Sequence, residues 1–221
     1  MAPTGNKVKL CYWPVRGLAQ VNRLLLHRFK VDFEDYHYTD FEKWFKDDKL
    51  HLGLDFPNLP YLIDGEYNLT ESTAIQTYII KKWGNSELLG KDAKDSAQIE
   101  AFLSIFNEIQ TEVRGLFFNK DHANAKVPLL EKFKVKFDQL EAFVGKKDFC
   151  LGYLTLLDFV VAEFSNYIIT VWPEESKAWS FLRKIRENFN KLPETEAYYK
   201  SEKAVKEPFY PKSALLTVAT E

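Results

Sequence analysis

The sequence has almost no cysteine: Cys11 and Cys150 are the only two in 221 residues, far apart and outside any C-x-x-C spacing. That excludes a disulfide framework, a thiolate zinc site and a dithiol redox motif, and it fits a reducing, cytoplasmic setting. Charge of one sign is also lacking. Thirty Lys and Arg stand against 32 Asp and Glu, a net charge of -2, so nucleic acid and anionic membrane have no basic footprint to bind. His27, His37, His51 and His122 show no metal-ligand spacing, and no metal is expected. No apolar run is long enough to span a bilayer, and the start of the chain carries no signal-peptide pattern. Without G-x-G-x-x-G, P-loop, G-x-S-x-G or H-E-x-x-H, hydride transfer, nucleotide hydrolysis and zinc chemistry lose their usual support. What the chain does have is apolar mass. At 46% hydrophobic and 15% aromatic it can bury one large core or two modest ones, and its partners are expected to be small molecules or proteins.

The patterning divides the chain into unlike halves. Lys7 to Tyr12 reads as a strand, and Leu18, Val21, Leu24 and Leu25 mark a helix to about Phe29. Phe33 to Tyr38 is strand-like, and an irregular aromatic and charged stretch runs to Leu54. Tyr61 to Asp64 and Tyr67 to Leu69 pair across Asp64-Gly65 as a hairpin. A helix then opens at Glu71-Ser72-Thr73 and stops at Gly84-Asn85. The order βαβαββα is that of a thioredoxin-like domain, expected over residues 1–84 with a linker at 85–93. From 94 to 221 every pattern is helical, as in Ile99, Phe102, Leu103, Phe106, Ile109 and Val113 on one face. Thr155-Leu156-Leu157-Asp158 reads as a structural capping box, and Pro193 suits the first turn of a later helix. The fold class is thus α/β plus all-α.

Three places could carry chemistry. Tyr12 ends the first strand before the loop Trp13-Pro14-Val15-Arg16-Gly17, where α/β architectures display reactive groups. Its phenol stays protonated at neutral pH and can donate a hydrogen bond to a developing anion, although a lone strand Tyr more often only packs its ring. In Leu54 to Gly65, Pro60 belongs at the start of a strand, where Leu59 could pair its backbone with an extended peptide-like ligand and Asn58 could meet a polar end. Ser72 opens a helix, so its hydroxyl and nearby N–H groups suit a carboxylate while Glu71 suits an ammonium; a plain N-cap explains Ser72 equally well. Trp44 and Lys49 could offer an indole N–H and a cation to a second carboxylate, a snorkelling surface lysine being the usual alternative for Lys49.

Together these residues resemble the cytosolic glutathione S-transferases, most closely the mu class. Tyr12 to Ala19 and Leu52 to Gly65 follow the family's two signature segments in order, and the likeness runs from Lys7 to about Ala214. The resemblance implies that Tyr12 hydrogen-bonds the sulfur of glutathione, a co-substrate, and favours its thiolate. It implies that Leu59, beside a cis Pro60, pairs with the cysteinyl part, that Asn58 supports the glycyl end, and that Glu71 and Ser72 hold the γ-glutamyl head. Trp13 and Leu18 line this site, and Trp44 and Lys49 match the residues at the glycine carboxylate. The spacing from Trp44 to Lys49 is one residue longer than in the mu class, so Phe45 competes for that place, and the mu loop is shortened after Tyr38. Glu108 matches an acidic residue that reaches the partner subunit's glutathione. Val15, Thr111, Phe118 and Tyr210 would line an electrophile pocket between the domains, Phe118 lacking the hydroxyl common there. Phe56 matches an aromatic key of a homodimer, or of a heterodimer with a close relative. The implied activity is conjugation of glutathione to hydrophobic electrophiles in detoxification. The alternatives are a carrier or crystallin-like protein and a sigma-type glutathione-dependent isomerase.

Overall fold

In the computed structural model, which describes residues 7–206, 209 and 214, the first strand β1 is Val8–Tyr12. Its alternating apolar residues sink Leu10 fully, and Cys11 beside it is equally buried. A short 3₁₀ turn at Gly17–Ala19 leads into α1, Gln20–Arg28, whose crossover returns the chain to β2, Phe33–His37, parallel to β1. The stretch between β2 and the hairpin was expected to be irregular in detail; it holds a π-helical turn at Lys43–Asp48. Strands β3, Tyr61–Asp64, and β4, Tyr67–Thr70, form the expected hairpin. The sheet order is β2-β1-β3-β4, with β3 antiparallel to β1. Helix α2, Ser72–Trp83, packs on α1 and ends at Gly84. A Cβ at Gly84 would fall 2.3 Å from the Phe29 ring, so glycine both stops the helix and admits its neighbour. This is the mixed four-stranded sheet of a thioredoxin-like domain.

The rest is helical. Helix α3, Ala93–Phe117, is capped by Asp92, whose side chain accepts from the N–H groups of Lys94 and Asp95. It is followed by α4, His122–Val144, and α5, Leu156–Val171. The capping box forms as read: Thr155 N–H donates to Asp158 Oδ2 at 2.7 Å, and the other carboxylate oxygen accepts from Cys150 N–H at 2.7 Å. Helices α6, Ser180–Asn190, and α7, Pro193–Lys200, complete the order, Pro193 being the first helical residue. By contact density the chain divides into two units. One takes residues 7–85 together with 197–206 and Phe209, and the other takes Ser86–Glu196 and Ala214. The end of α7 and the segment after it therefore group with the sheet.

In the first unit His27 and Asp35 shift the acid stability in the same direction. Burial, with help from Lys203, holds the His27 imidazole below its ordinary value; its ring packs against Phe33 and Tyr198. Burial pushes the Asp35 carboxyl up, but the hydrogen bond with His37 and the Arg23 guanidinium outweigh it and hold the carboxyl below its ordinary value. In both cases the unfolded chain binds the proton more readily than the folded one, so stability falls as pH falls. The thermal midpoint should therefore drop from about pH 6.5 downward as His27 is forced to charge, and again below about pH 4 as Asp35 protonates. His27→Gln should flatten the first part and leave the second, as scanning calorimetry across pH would show.

Candidate functional site

The strand registers gather the candidate residues at one end of the sheet. Cys11 pairs with Tyr61, so Tyr12 lies at the end where Pro60 enters β3. Tyr61 pairs in turn with Thr70, which brings Glu71 and Ser72 to the same end.

Tyr12 is 8% exposed. The backbone N–H of Leu18 donates to its hydroxyl oxygen at 3.2 Å, an acceptor role that strengthens the phenol as a donor in its turn. Gly17 makes this possible. Its φ is +42°, and a Cβ there would fall 2.7 Å from the Tyr12 hydroxyl oxygen and 2.8 Å from Cε1. Gly17→Ala should therefore push the phenol away and strain the backbone, costing about 1–3 kcal/mol of stability together with the Leu18 hydrogen bond. Loss of glutathione-dependent turnover greater than the loss of folded protein, measured side by side, checks it.

At the other side of this sheet end, Leu59-Pro60 is a cis peptide. Leu59 N–H donates to Asn58 Oδ1 at 2.9 Å, and Asn58 Nδ2 donates to Glu71 Oε1 at 3.2 Å. Asn58, Leu59 and Glu71 are thus one connected group, with Ser72 next in sequence. The N-cap position of α2 belongs to Glu71, at φ +70°, with no side-chain capping bond. Ser72 is the first helical residue instead, so the capping role open in the sequence is not the one its hydroxyl fills. A positive φ at a non-glycine residue is strained, and such strain collects at ligand sites.

Trp44 and Phe45 divide differently from the first expectation. Trp44 is 2% exposed and packs against Tyr38 and Tyr61, so it belongs to the core. Phe45, at 53% exposure, faces outward. It stacks on Phe41, which stacks on Trp13 with ring centres 4.7 Å apart, and Lys49 Nζ lies 5.5 Å from the Phe45 ring centre. The place beside Lys49 is held by a ring without an N–H. Beneath it, Tyr38 donates to Asp48 Oδ2 at 2.7 Å and is bonded to the Tyr61 hydroxyl at 2.9 Å, fixing the π-helical turn to β3.

The remaining candidates are taken within their own units. Leu18 is half-buried, and Val15 is 3% exposed. On the helical unit, Thr111 is exposed and its hydroxyl donates to Asn107 O at 2.8 Å, and Phe118 is exposed. Glu108 is ion-paired with Lys136 of the same chain. Tyr210 lies outside the described residues. Phe56 is 73% exposed. Between α3 and α4 lies an apolar cavity of about 210 Å³ lined by Ala101, Phe102, Ile105, Leu140 and Phe143. Burial pushes the Cys11 thiol up to about 12 and the Cys150 thiol well above its ordinary value, so neither serves as a nucleophile. Among the described residues no group of three or more His, Cys, Asp or Glu could hold a metal ion, and no helix is long and apolar enough to cross a membrane. Sequence reading passed over Arg23, Asp35 and Gly17. The available signal was a lone arginine within the apolar run of α1.

A thioredoxin-like sheet with a phenol, a strand-edge peptide and a helix start at one end, joined in sequence to an all-helical unit, defines a two-part transferase architecture. A family model described as "Glutathione S-transferase, N-terminal domain" matches residues 8–81. A class-mu 26 kDa glutathione S-transferase of Fasciola hepatica is 32% identical, covering 90% of this chain and 91% of its own. Glutathione S-transferase 2 of Gallus gallus is 31% identical, covering 94% and 96%. The crystal structure of the glutathione S-transferase Blo t 8 superposes with a TM-score of 0.80 at 25% identity, over 95% of this chain and 99% of that one. The chain belongs to the glutathione S-transferase family, a family of transferases, and its mu-class relatives match it over nearly its full length.

Proposed function

We propose that this protein binds glutathione at the Tyr12 end of the sheet, holds its thiol as thiolate, and transfers it to hydrophobic electrophiles in cytoplasmic detoxification. The observation that carries this reading is the Leu18 N–H to Tyr12 hydroxyl hydrogen bond, which aims a buried phenol at the sheet end shared with Leu59, Glu71 and Ser72. Leu59 would offer its backbone to the cysteinyl unit as an added strand, with Asn58 beside it. Glu71 would take the γ-glutamyl ammonium, and Ser72 with the first N–H groups of α2 its carboxylate. Lys49, with Phe45 rather than Trp44 beside it, would face the glycine carboxylate, and Trp13 and Leu18 would flank the ligand.

The phenol donates to sulfur and bears no charge of its own, so it favours the thiolate over the thiol. A thiol of ordinary pKa near 8.5 is only a few per cent ionised at pH 7; lowering it by about two units takes roughly 2.7 kcal/mol of differential stabilisation. The thiolate then attacks an electrophilic carbon: the C–S bond forms, the bond to the leaving group breaks, and the thiol proton has gone to solvent. Positioning of the two reactants supplies the rest. Thr111, Phe118 and Tyr210 are proposed on the electrophile's side; the burial of Val15 speaks against a direct part for it. Phe56 exposed on one copy and the α3–α4 cavity on another support a two-fold homodimer, in which Glu108 would serve the partner's glutathione only by leaving Lys136. The test is conjugation of glutathione to a generic aromatic halide by the purified protein. Turnover above the uncatalysed rate is expected; ligand binding without turnover would favour a carrier instead.

A further inference from the structure

Arg23 is 0% exposed in α1. Its Nε donates to Asp35 Oδ2 of β2 at 2.8 Å, a contact that a single ammonium could make. The rest of the guanidinium turns elsewhere. Nη1 donates to Val15 O at 2.8 Å and lies 3.4 Å from Arg16 O, and Nη2 lies 3.5 Å from Trp13 O. Three carbonyls of the turn that follows Tyr12 thus converge on one planar fork, a geometry a guanidinium can satisfy and an ammonium cannot. A buried ion pair is weak as a source of stability, since two well-packed apolar residues would do as well; its value here lies in the carbonyls it gathers. The outside of the same turn is held separately. Arg16 donates to the Tyr199 hydroxyl at 3.0 Å, and Gly17 N–H donates to Phe209 O at 3.0 Å. Of the titratable groups around the pair, His37 touches it directly, its Nε2 3.1 Å from Asp35 Oδ2 and 3.5 Å from Arg23 Nη2, while His27, Cys11 and Tyr198 act on it electrostatically.

We propose that Arg23 is a positioning residue for catalysis, shaping the Trp13–Arg16 turn from inside so that Gly17 and the Leu18 N–H meet the Tyr12 hydroxyl. The proposal rests on the thiolate role given to Tyr12 above. Arg23→Lys keeps a cation opposite Asp35 and removes the fork. It should raise the pH midpoint of thiolate formation on bound glutathione by about one unit, which lowers kcat at pH 7 by about three-fold, with the KM for glutathione within about two-fold of the parent. Added to Tyr12→Phe, it should raise the midpoint no further, because both act through one hydroxyl. If the lysine variant does not fold, Arg23→Gln combined with Asp35→Asn removes both charges, keeps an N–H donor, and is read in the same way. A lowered melting temperature with an unmoved midpoint would overturn the proposal and leave Arg23 a structural residue. A Tyr12→Phe protein whose midpoint equals the parent's would overturn the thiolate reading itself, a distinct result.

Discussion

At pH 7 the Tyr12→Phe protein should conjugate glutathione to an aromatic halide about twenty-five-fold more slowly than the parent, the loss of thiolate that follows when the midpoint of the bound thiol rises from near 6.5 to near 8.5. The ring stays, so the 8%-exposed packing of residue 12 against Gly17 is preserved and folding should change by less than about 1 kcal/mol. What goes is one donor and the acceptor for Leu18 N–H. Glutathione affinity should change little, because Leu59, Glu71 and Ser72 remain. The defect should shrink as pH rises toward the ordinary thiol range, where solution supplies the thiolate. Steady-state kinetics from acid to mildly alkaline pH would show this convergence. A uniform loss at every pH would instead mean that the phenol orients the electrophile.

The second large effect concerns assembly. Phe56→Ser removes a ring that is 73% exposed in the isolated chain and that the proposed dimer places in the α3–α4 cavity of its partner. Burying a Phe contributes about 1.5–3 kcal/mol, and two-fold symmetry counts it twice, so the dimer should weaken by about 3–6 kcal/mol, roughly a hundred- to ten-thousand-fold in dissociation constant. Sedimentation over a range of low concentrations would detect it. Melting of the isolated chain should scarcely move, since an exposed residue contributes little to its own fold. A Phe56→Ser protein still fully dimeric at nanomolar concentration would remove Phe56 from the interface.

The strands were legible because their signals are local: alternation in Val8–Tyr12 and a two-residue turn, expected at Asp64-Gly65 and formed one residue on, at Gly65-Glu66. The Thr155 capping box and Pro193 at a helix start were legible for the same reason. The π-helical turn at Lys43–Asp48 was not, because its charged and aromatic residues follow no helical or strand period. With that period missing, nothing local decided which of Trp44 and Phe45 turns inward; the packing of Tyr38 and Tyr61 decides it. The grouping of residues after Ala197 with the sheet is likewise a tertiary choice, made through contacts such as the one between Arg16 and the Tyr199 hydroxyl. Arg23 showed in the sequence only as a charge within an apolar run; its partners are backbone carbonyls, which every sequence has, and only the fold aims them. Gly17 looked like an ordinary loop glycine until its closeness to the Tyr12 ring was seen.

The most direct measurement is a pH titration of glutathione bound to the parent protein, read by the ultraviolet absorbance of the thiolate against free glutathione. The account predicts a midpoint about two units below that of the free thiol, near pH 6.5. A midpoint equal to that of free glutathione, with the ligand fully bound, would contradict it.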